Sequence, residues 1–175
     1  MTQARGGMGL AVLGLVVATG CADDHQRPEL RAALDAASLS LIDSIGTALE
    51  QTQTERAQQA RFVMTDANLF AVKAVDVAKL REVKIDSLSG TVVGMNEAGN
   101  AISGCDGQIA LTDALAIAEA EAGGDAVQSV PDDDVDCAFE IQVLVDETLW
   151  EVKLGPDGAV LEKELSDEFG GGDDD

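Results

Sequence analysis

The chain has 175 residues and a formal net charge of −22, from 33 acidic and 11 basic residues. Phosphate recognition needs a basic face, so this balance excludes a nucleic-acid partner and disfavours direct contact with anionic lipid headgroups. Aromatic residues make up 3% of the chain and Tyr is absent, so the core must be built from Val, Leu, Ile and Ala.

The first segment, residues 1–20, has the layout of a secretory signal. One cation, Arg5, precedes an apolar run from Met8 to Val17, which is shorter than the roughly 20 residues of a membrane-spanning helix. The run leads into Ala18-Thr19-Gly20-Cys21, and small residues before a cysteine resemble the lipobox of bacterial lipoproteins. The resemblance implies that residues 1–20 are removed, that the thiol of Cys21 carries a diacylglycerol, and that the new amino terminus is acylated.

Lipid attachment at Cys21 would decide where the protein resides. Two or three acyl chains hold a protein firmly at a membrane, whereas one chain alone binds only marginally. Ala22 follows the cysteine, and no Asp stands there as an inner-membrane retention mark. In a cell with two membranes, the resemblance therefore implies the periplasmic face of the outer membrane. The alternative is an ordinary secretory signal in which Cys21 occurs by coincidence.

A tether over residues 21–37 is predicted to lead into the first helix. Pro28 suits a helix start. Apolar residues then recur at helical spacing, at Leu30, Leu34, Leu41 and Ile45. We expect this helix to begin early and to run to about Gln59. Within it, Ser40 with Asp43 three residues on resembles a capping box.

An internal repeat predicts two copies of one unit. The helical segment around Leu41 matches the segment around Leu111, and Leu80–Ile85 matches Leu149–Leu154 at nearly the same offset. Each copy reads as a helix followed by three or four strands. The segments assigned are a signal peptide over 1–20, a tether over 21–37, unit 1 over 38–97, unit 2 over 98–167 and a disordered acidic tail over 168–175.

Alternating polarity predicts the strands of each unit. The apolar positions of unit 2 are Phe139, Ile141, Val143 and Val145, followed by Trp150, Val152 and Leu154. Those of unit 1 are Phe62, Val72, Val83 and Ile85. A period of two with one polar face indicates antiparallel strands that cover a core on one side, and Asp157-Gly158 is a good hairpin turn. The expected fold class is α+β, with two repeated units, each a helix packed on a small antiparallel sheet.

Unit 2 resembles a PepSY domain over about residues 107–166. The resemblance is carried by four segments, Ile109–Ala118, Phe139–Val143, Trp150–Leu154 and Asp157–Leu161. Ala110 stands where that family has a capping Ser or Thr, which leaves Thr112 as the candidate cap. Unit 1 resembles the family through its likeness to unit 2. The resemblance implies protease inhibition, or assistance to the folding of a protease, and it carries no site residues over.

The remaining cysteines and the acidic run indicate structural roles rather than a catalytic or metal site. Cys105 and Cys137 form an even pair in an exported chain, which suggests a disulfide closing a loop of about 30 residues; the alternative is two free thiols. The only His, His25, lies in the tether, which disfavours a metal site. The run Asp132-Asp133-Asp134 lacks the EF-hand spacing, so a solvated acidic loop is favoured over a calcium site.

The sequence favours a binding protein over an enzyme. No nucleophile constellation or glycine-rich phosphate loop is visible, so we expect no catalysis and no cofactor. We expect a non-enzymatic binder or inhibitor of an envelope or secreted peptidase, held at the membrane by its lipid. An exposed sheet edge could pair with a strand of the partner, and the negative charge favours a basic partner surface. The alternative is a structural or solubilising envelope lipoprotein without a protease target.

Overall fold

The computed structural model describes residues 26–105 and 107–166. These residues form three helices, which are α1 (Gln26–Ala36), α2 (Leu41–Thr52) and α3 (Leu111–Ala122). They also form eight strands, which are β1 (Ala57–Val63), β2 (Leu69–Asp76), β3 (Lys79–Asp86), β4 (Val92–Asn100), β5 (Asp125–Pro131), β6 (Phe139–Val145), β7 (Thr148–Leu154) and β8 (Val160–Leu165). Outside the described residues lie the signal predicted over 1–20, Cys21, His25 and the whole of the tail predicted over 168–175.

All eight strands belong to one antiparallel sheet with the order β4-β3-β2-β1-β5-β6-β7-β8. The predicted fold of two repeated units, each with its own small sheet, is therefore wrong. The reason is that β1 and β5, which the prediction placed in different units, pair with each other. Ala60 lies opposite Ser129 and Arg61 opposite Gln128, so backbone hydrogen bonding runs across the boundary between the expected units.

The core lies between one face of this sheet and the helices α2 and α3. Residues that were predicted to face inward are buried there, among them Phe62, Val72, Val83, Ile85, Phe139, Ile141 and Val143. Phe62 and Phe70 meet edge to face, with ring centroids 5.2 Å apart. Two small residues, Ala60 and Ser129, are buried at the β1–β5 junction. Their small side chains leave room for both helices to pack over the junction.

The helix expected to run to about Gln59 is interrupted. It is divided into α1 and α2, which are separated by residues 37–40, and the second ends at Thr52 with Gln53 in the left-handed conformation. The capping box is confirmed, because the Ser40 hydroxyl accepts from the Asp43 backbone N–H and the Asp43 carboxylate accepts from the Ser40 N–H. This box starts a new helix and so breaks the longer one.

The start of α3 differs from the sequence-based expectation. Its N-cap is Ala110, which makes no side-chain capping bond, and the expected replacement cap at Thr112 is wrong because Thr112 lies within the first turn. At the other end of the domain, the hairpin at Asp157-Gly158 is confirmed, with Gly158 at φ 83° between β7 and β8.

Helix α1 occupies part of the predicted tether and crosses one end of the sheet. Arg27 donates to the carbonyl oxygen of Ser166, just after β8, and Arg31 contacts Asp125 at the start of β5 at 2.6 Å. Just beyond the helix, the Ser38 N–H donates to the carbonyl oxygen of Ser87, after β3. The helix therefore contacts the β5–β8 half of the sheet, and the segment just after it contacts the β1–β4 half.

Candidate functional site

The strands β6, β7 and β8 present a row of glutamates on the sheet face opposite α3. Successive side chains of a strand point to opposite faces. Since Val152 is fully buried in the core, its neighbour Glu151 points to the opposite face, where it lies directly across from Glu164 on β8. Glu140 on β6 also interacts with Glu151. We call Glu140, Glu151, Glu162 and Glu164 the glutamate row.

Partial burial, together with repulsion within the glutamate row, shifts the pKa of its central member, Glu151. Partial burial raises the pKa of Glu151 to about 7, and the nearby charges of Glu140 and Glu164 act in the same direction. Close to neutral pH this carboxyl is therefore a mixture of charged and protonated forms. The neighbouring Lys153 acts in the opposite direction and favours the charged form, and a further cation beside Glu151 would do the same.

Strand β8 forms one margin of the sheet among the described strands, and all six of its residues are exposed. Val160, Leu161 and Leu165 are 42%, 51% and 58% exposed, which is unusual for large apolar side chains in a strand. A marginal strand has backbone N–H and C=O groups that no neighbouring strand satisfies. Within the described part of the chain, the same strand therefore offers apolar contacts and backbone groups that no neighbouring strand pairs.

Contacts with α3 and β7 hold β8 in place on its inner face. The Lys163 ammonium lies 5.1 Å from the centre of the Trp150 ring and donates to the carbonyl oxygen of Glu121 at 2.7 Å. Trp150 itself is half-buried beneath this lysine. Lys163 thus connects β8 both to its neighbouring strand and to the carboxyl end of α3, where a cation is electrostatically favoured.

Cys105 and Cys137, the two cysteines expected to pair, are joined by a disulfide in the structure, with their Cα atoms 5.4 Å apart. The bond ties the segment before α3 to the start of β6. Gln108 reinforces this join, because its side-chain amide donates to the carbonyl oxygen of Cys137 at 2.7 Å.

The acidic run at residues 132–134 is not uniformly solvated, and the expectation of a solvated loop is wrong for Asp132. Its side chain is fully buried and lies 2.6 Å from the Lys153 ammonium. Its other oxygen accepts from the backbone N–H groups of Asp134 and Val135. Burial alone would raise the pKa of Asp132, but Lys153 and these two N–H groups lower it below its ordinary value.

Asp133 and Asp134 in the same run are exposed. Within residues 26–105 and 107–166, no group of three or more His, Cys, Asp or Glu side chains is placed to hold a metal ion. In the same part of the chain, no single helix is long and apolar enough to cross a membrane; only α1 and α2 taken together, bent by 60° at their break, pass on length and composition.

Sequence reasoning identified the cysteines of the disulfide but missed the glutamate row. The signal was present, because Glu140, Glu151, Glu162 and Glu164 all alternate with the residues of the opposite face. The sequence did not indicate that three strands would bring these glutamates side by side. Cys21, the predicted lipid attachment residue, lies outside the described residues.

Comparison with known proteins gives little further guidance. No protein-family model and no curated protein matches the chain. A solved structure, that of a putative lipoprotein from Clostridium difficile 630, is similar at 17% sequence identity and a TM-score of 0.44, covering 74% of this chain and 95% of that one. A likeness of this size carries no argument about function, so the resemblance to PepSY domains stays a prediction from sequence.

Proposed function

We propose that this chain is a lipid-anchored envelope protein that binds a peptidase of the envelope or a secreted peptidase, without catalysis of its own. The anchor is Cys21, and the location is the periplasmic face of the outer membrane. The resemblance of residues 107–166 to PepSY domains supplies the peptidase as the partner class.

The open margin of the sheet is the observation that carries this proposal. Peptidase clefts hold their substrates in an extended form through backbone hydrogen bonds, and an exposed strand can offer the same groups. Strand β8 has exposed apolar side chains along its length, and the glutamate row lies beside it. These charges favour a partner with a basic surface and speed association at low salt.

The test is to titrate the purified protein against the metallopeptidases secreted by the same cells, in low and moderate salt. We expect a complex by size-exclusion chromatography and a fall in peptidase activity that weakens as salt rises. If neither complex nor inhibition is found at micromolar concentration, the peptidase proposal fails. A structural envelope lipoprotein without a protease target then remains.

A further inference from the structure

We propose that β8 is the docking strand, and that it accepts an extended segment of a partner protein in which basic and apolar residues alternate. The incoming segment would extend the sheet beyond β8. This inference rests on the proposed function in one respect only, that the chain binds another protein.

The two margins of the sheet differ in how well they suit such addition. The pairing of β4 with β3 is irregular at two places, between Lys79 and Arg81 and between Lys84 and Ile85. Such irregularities twist a marginal strand away from regular pairing. The pairing of β8 with β7 has one irregularity, between Lys153 and Leu154, near the start of β8. Beyond it the pairing is regular from Glu162 to Leu165, so this stretch offers an undistorted template.

The side chains of β8 specify what the incoming strand must carry. Residues that lie directly opposite each other in a sheet share a face and interact. On the face of the glutamate row, Glu162 lies opposite Lys153 and Glu164 lies opposite Glu151 of β7. Basic residues of the incoming segment would pair with both glutamates from their open side, and most favourably with Glu164. Leu165, 58% exposed on the other face, calls for an apolar residue. An alternating basic and apolar strand satisfies both faces.

A second copy of this chain does not meet that requirement. If two β8 strands paired antiparallel about Lys163, Glu162 of each would lie opposite Glu164 of the other. Like charges directly opposite each other are destabilising. Each copy also carries a net charge of −22, which adds long-range repulsion. Charge complementarity therefore selects a basic partner strand.

The chain carries its own probe for this binding, because Trp150 is its only tryptophan and lies beneath Lys163 of β8. The experiment titrates the full chain in neutral detergent with a heptapeptide of alternating Lys and Val and follows Trp fluorescence. Two further peptides serve as comparisons. One has the same composition with its Lys and Val residues in separate blocks, and the other alternates Glu and Val.

We expect the alternating Lys–Val peptide to bind at least about tenfold more tightly than the block peptide, and the Glu–Val peptide not to bind. The double variant Glu162→Gln/Glu164→Gln should weaken binding by about tenfold. Glu97→Gln on β4 is the matched control and should leave binding unchanged. Methylating the backbone nitrogens along one edge of the peptide should abolish binding if strand addition is the mode, and methylation along the opposite edge should not.

Equal binding of the alternating and block peptides would overturn the proposal, since it would indicate charge attraction without strand pairing. An equal effect of Glu97→Gln and the double variant would overturn it as well. The proposed function can fail separately. Peptide binding at β8 without any peptidase complex supports the docking strand and refutes the peptidase, whereas a peptidase complex untouched by the double variant refutes the docking strand alone.

Discussion

Arg27 donates a hydrogen bond from its guanidinium to the carbonyl oxygen of Ser166 at 3.0 Å, which joins the first described helix to the last described residue. The two ends of the described fold therefore meet at one corner of the sheet. If Cys21 carries the lipid, this corner is the part of the domain held nearest to the membrane, because only four residues separate Cys21 from α1.

The contribution of α1 to the free energy of unfolding can be measured by substituting Leu30. Its side chain is fully buried in the core, so Leu30→Ala should lower the free energy of unfolding by about 2–5 kcal/mol. Leu161→Ala is the matched control, since Leu161 is 51% exposed, and its effect should stay within about 0.5 kcal/mol. Urea unfolding followed by circular dichroism measures both. Equal effects of the two substitutions would show that α1 does not stabilise the domain.

The disulfide should stabilise the domain mainly by restricting the unfolded chain. Its sequence separation is 32 residues. The chain-entropy model then gives a loss of about 3–4 kcal/mol for Cys105→Ser/Cys137→Ser. Urea unfolding of both proteins, with and without reductant, tests this, and only the wild-type protein should respond to reductant. Two thiols that alkylate without reduction in the exported protein would contradict the bond.

Removing Lys153 should cost more than removing both members of its ion pair. Lys153→Met leaves the buried Asp132 carboxylate without its cation, which should cost about 3 kcal/mol. The double variant Asp132→Asn/Lys153→Met removes that charge and should regain part of the loss. The comparison is made by chemical unfolding at pH 7. If the loss in the double variant equals the sum of the losses in Lys153→Met and Asp132→Asn, the two side chains do not interact.

The same pair predicts acid sensitivity. The folded pKa of Asp132 is lowered, so this group contributes stability at pH values above its unfolded pKa. That contribution is lost as the pH falls through the folded pKa. The Asp132→Asn/Lys153→Met variant should therefore lose less stability than the wild type when it is titrated into acid.

Glu151 should give the stability a pH dependence of the opposite sign to that of Asp132. Its folded pKa is about 7, against an ordinary value of 4.5. The folded state therefore binds the proton more tightly than the unfolded state, and this contribution to stability falls as the pH rises from about 4.5 to 7. Glu151→Gln should flatten the pH dependence in this window and raise stability at pH 8. Glu97→Gln leaves the glutamate row in place and should keep the wild-type profile.

Cys21→Ser should abolish labelling with radioactive palmitate and release the protein from the membrane fraction. The physical reason is that the thiol is the proposed site of the diacylglycerol, and the acidic domain has little affinity for anionic headgroups. Ala22→Ser is a control that keeps the thiol and should keep both label and location. A labelled, membrane-bound Cys21→Ser protein would show that the anchor lies elsewhere.

Local signals predicted local structure well. The alternation at Phe139, Ile141 and Val143 correctly placed these residues in the core, and the Ser40–Asp43 capping box is present. The same box also contradicted the long helix to Gln59, since a reciprocal cap marks a helix start. The box therefore places the break between α1 and α2 directly before Ser40.

The sheet topology could not be predicted because no local signal specifies which strand pairs with which. Strand β1 reads AQQARFV, where the adjacent Gln58 and Gln59 break the alternation. Strand β5 reads DAVQSVP and has no strict alternation either. Their pairing depends on which face each half buries once both are folded. The glutamate row was missed for the same reason, since its members are far apart in sequence.

The junction between β1 and β5 has a consequence for the order of folding. The other strand pairs join neighbours in the chain, whereas Ala60 and Ser129 are separated by the strands β2 to β4 and the helix α3. Closing so long a loop costs conformational entropy before any stabilising contact forms. The hairpins can therefore form quickly, and this junction forms late. Substitutions such as Ser129→Gly should then mainly speed unfolding and leave the refolding rate nearly unchanged. Stopped-flow kinetics would decide this, and a slowed refolding rate would place the junction in the folding nucleus.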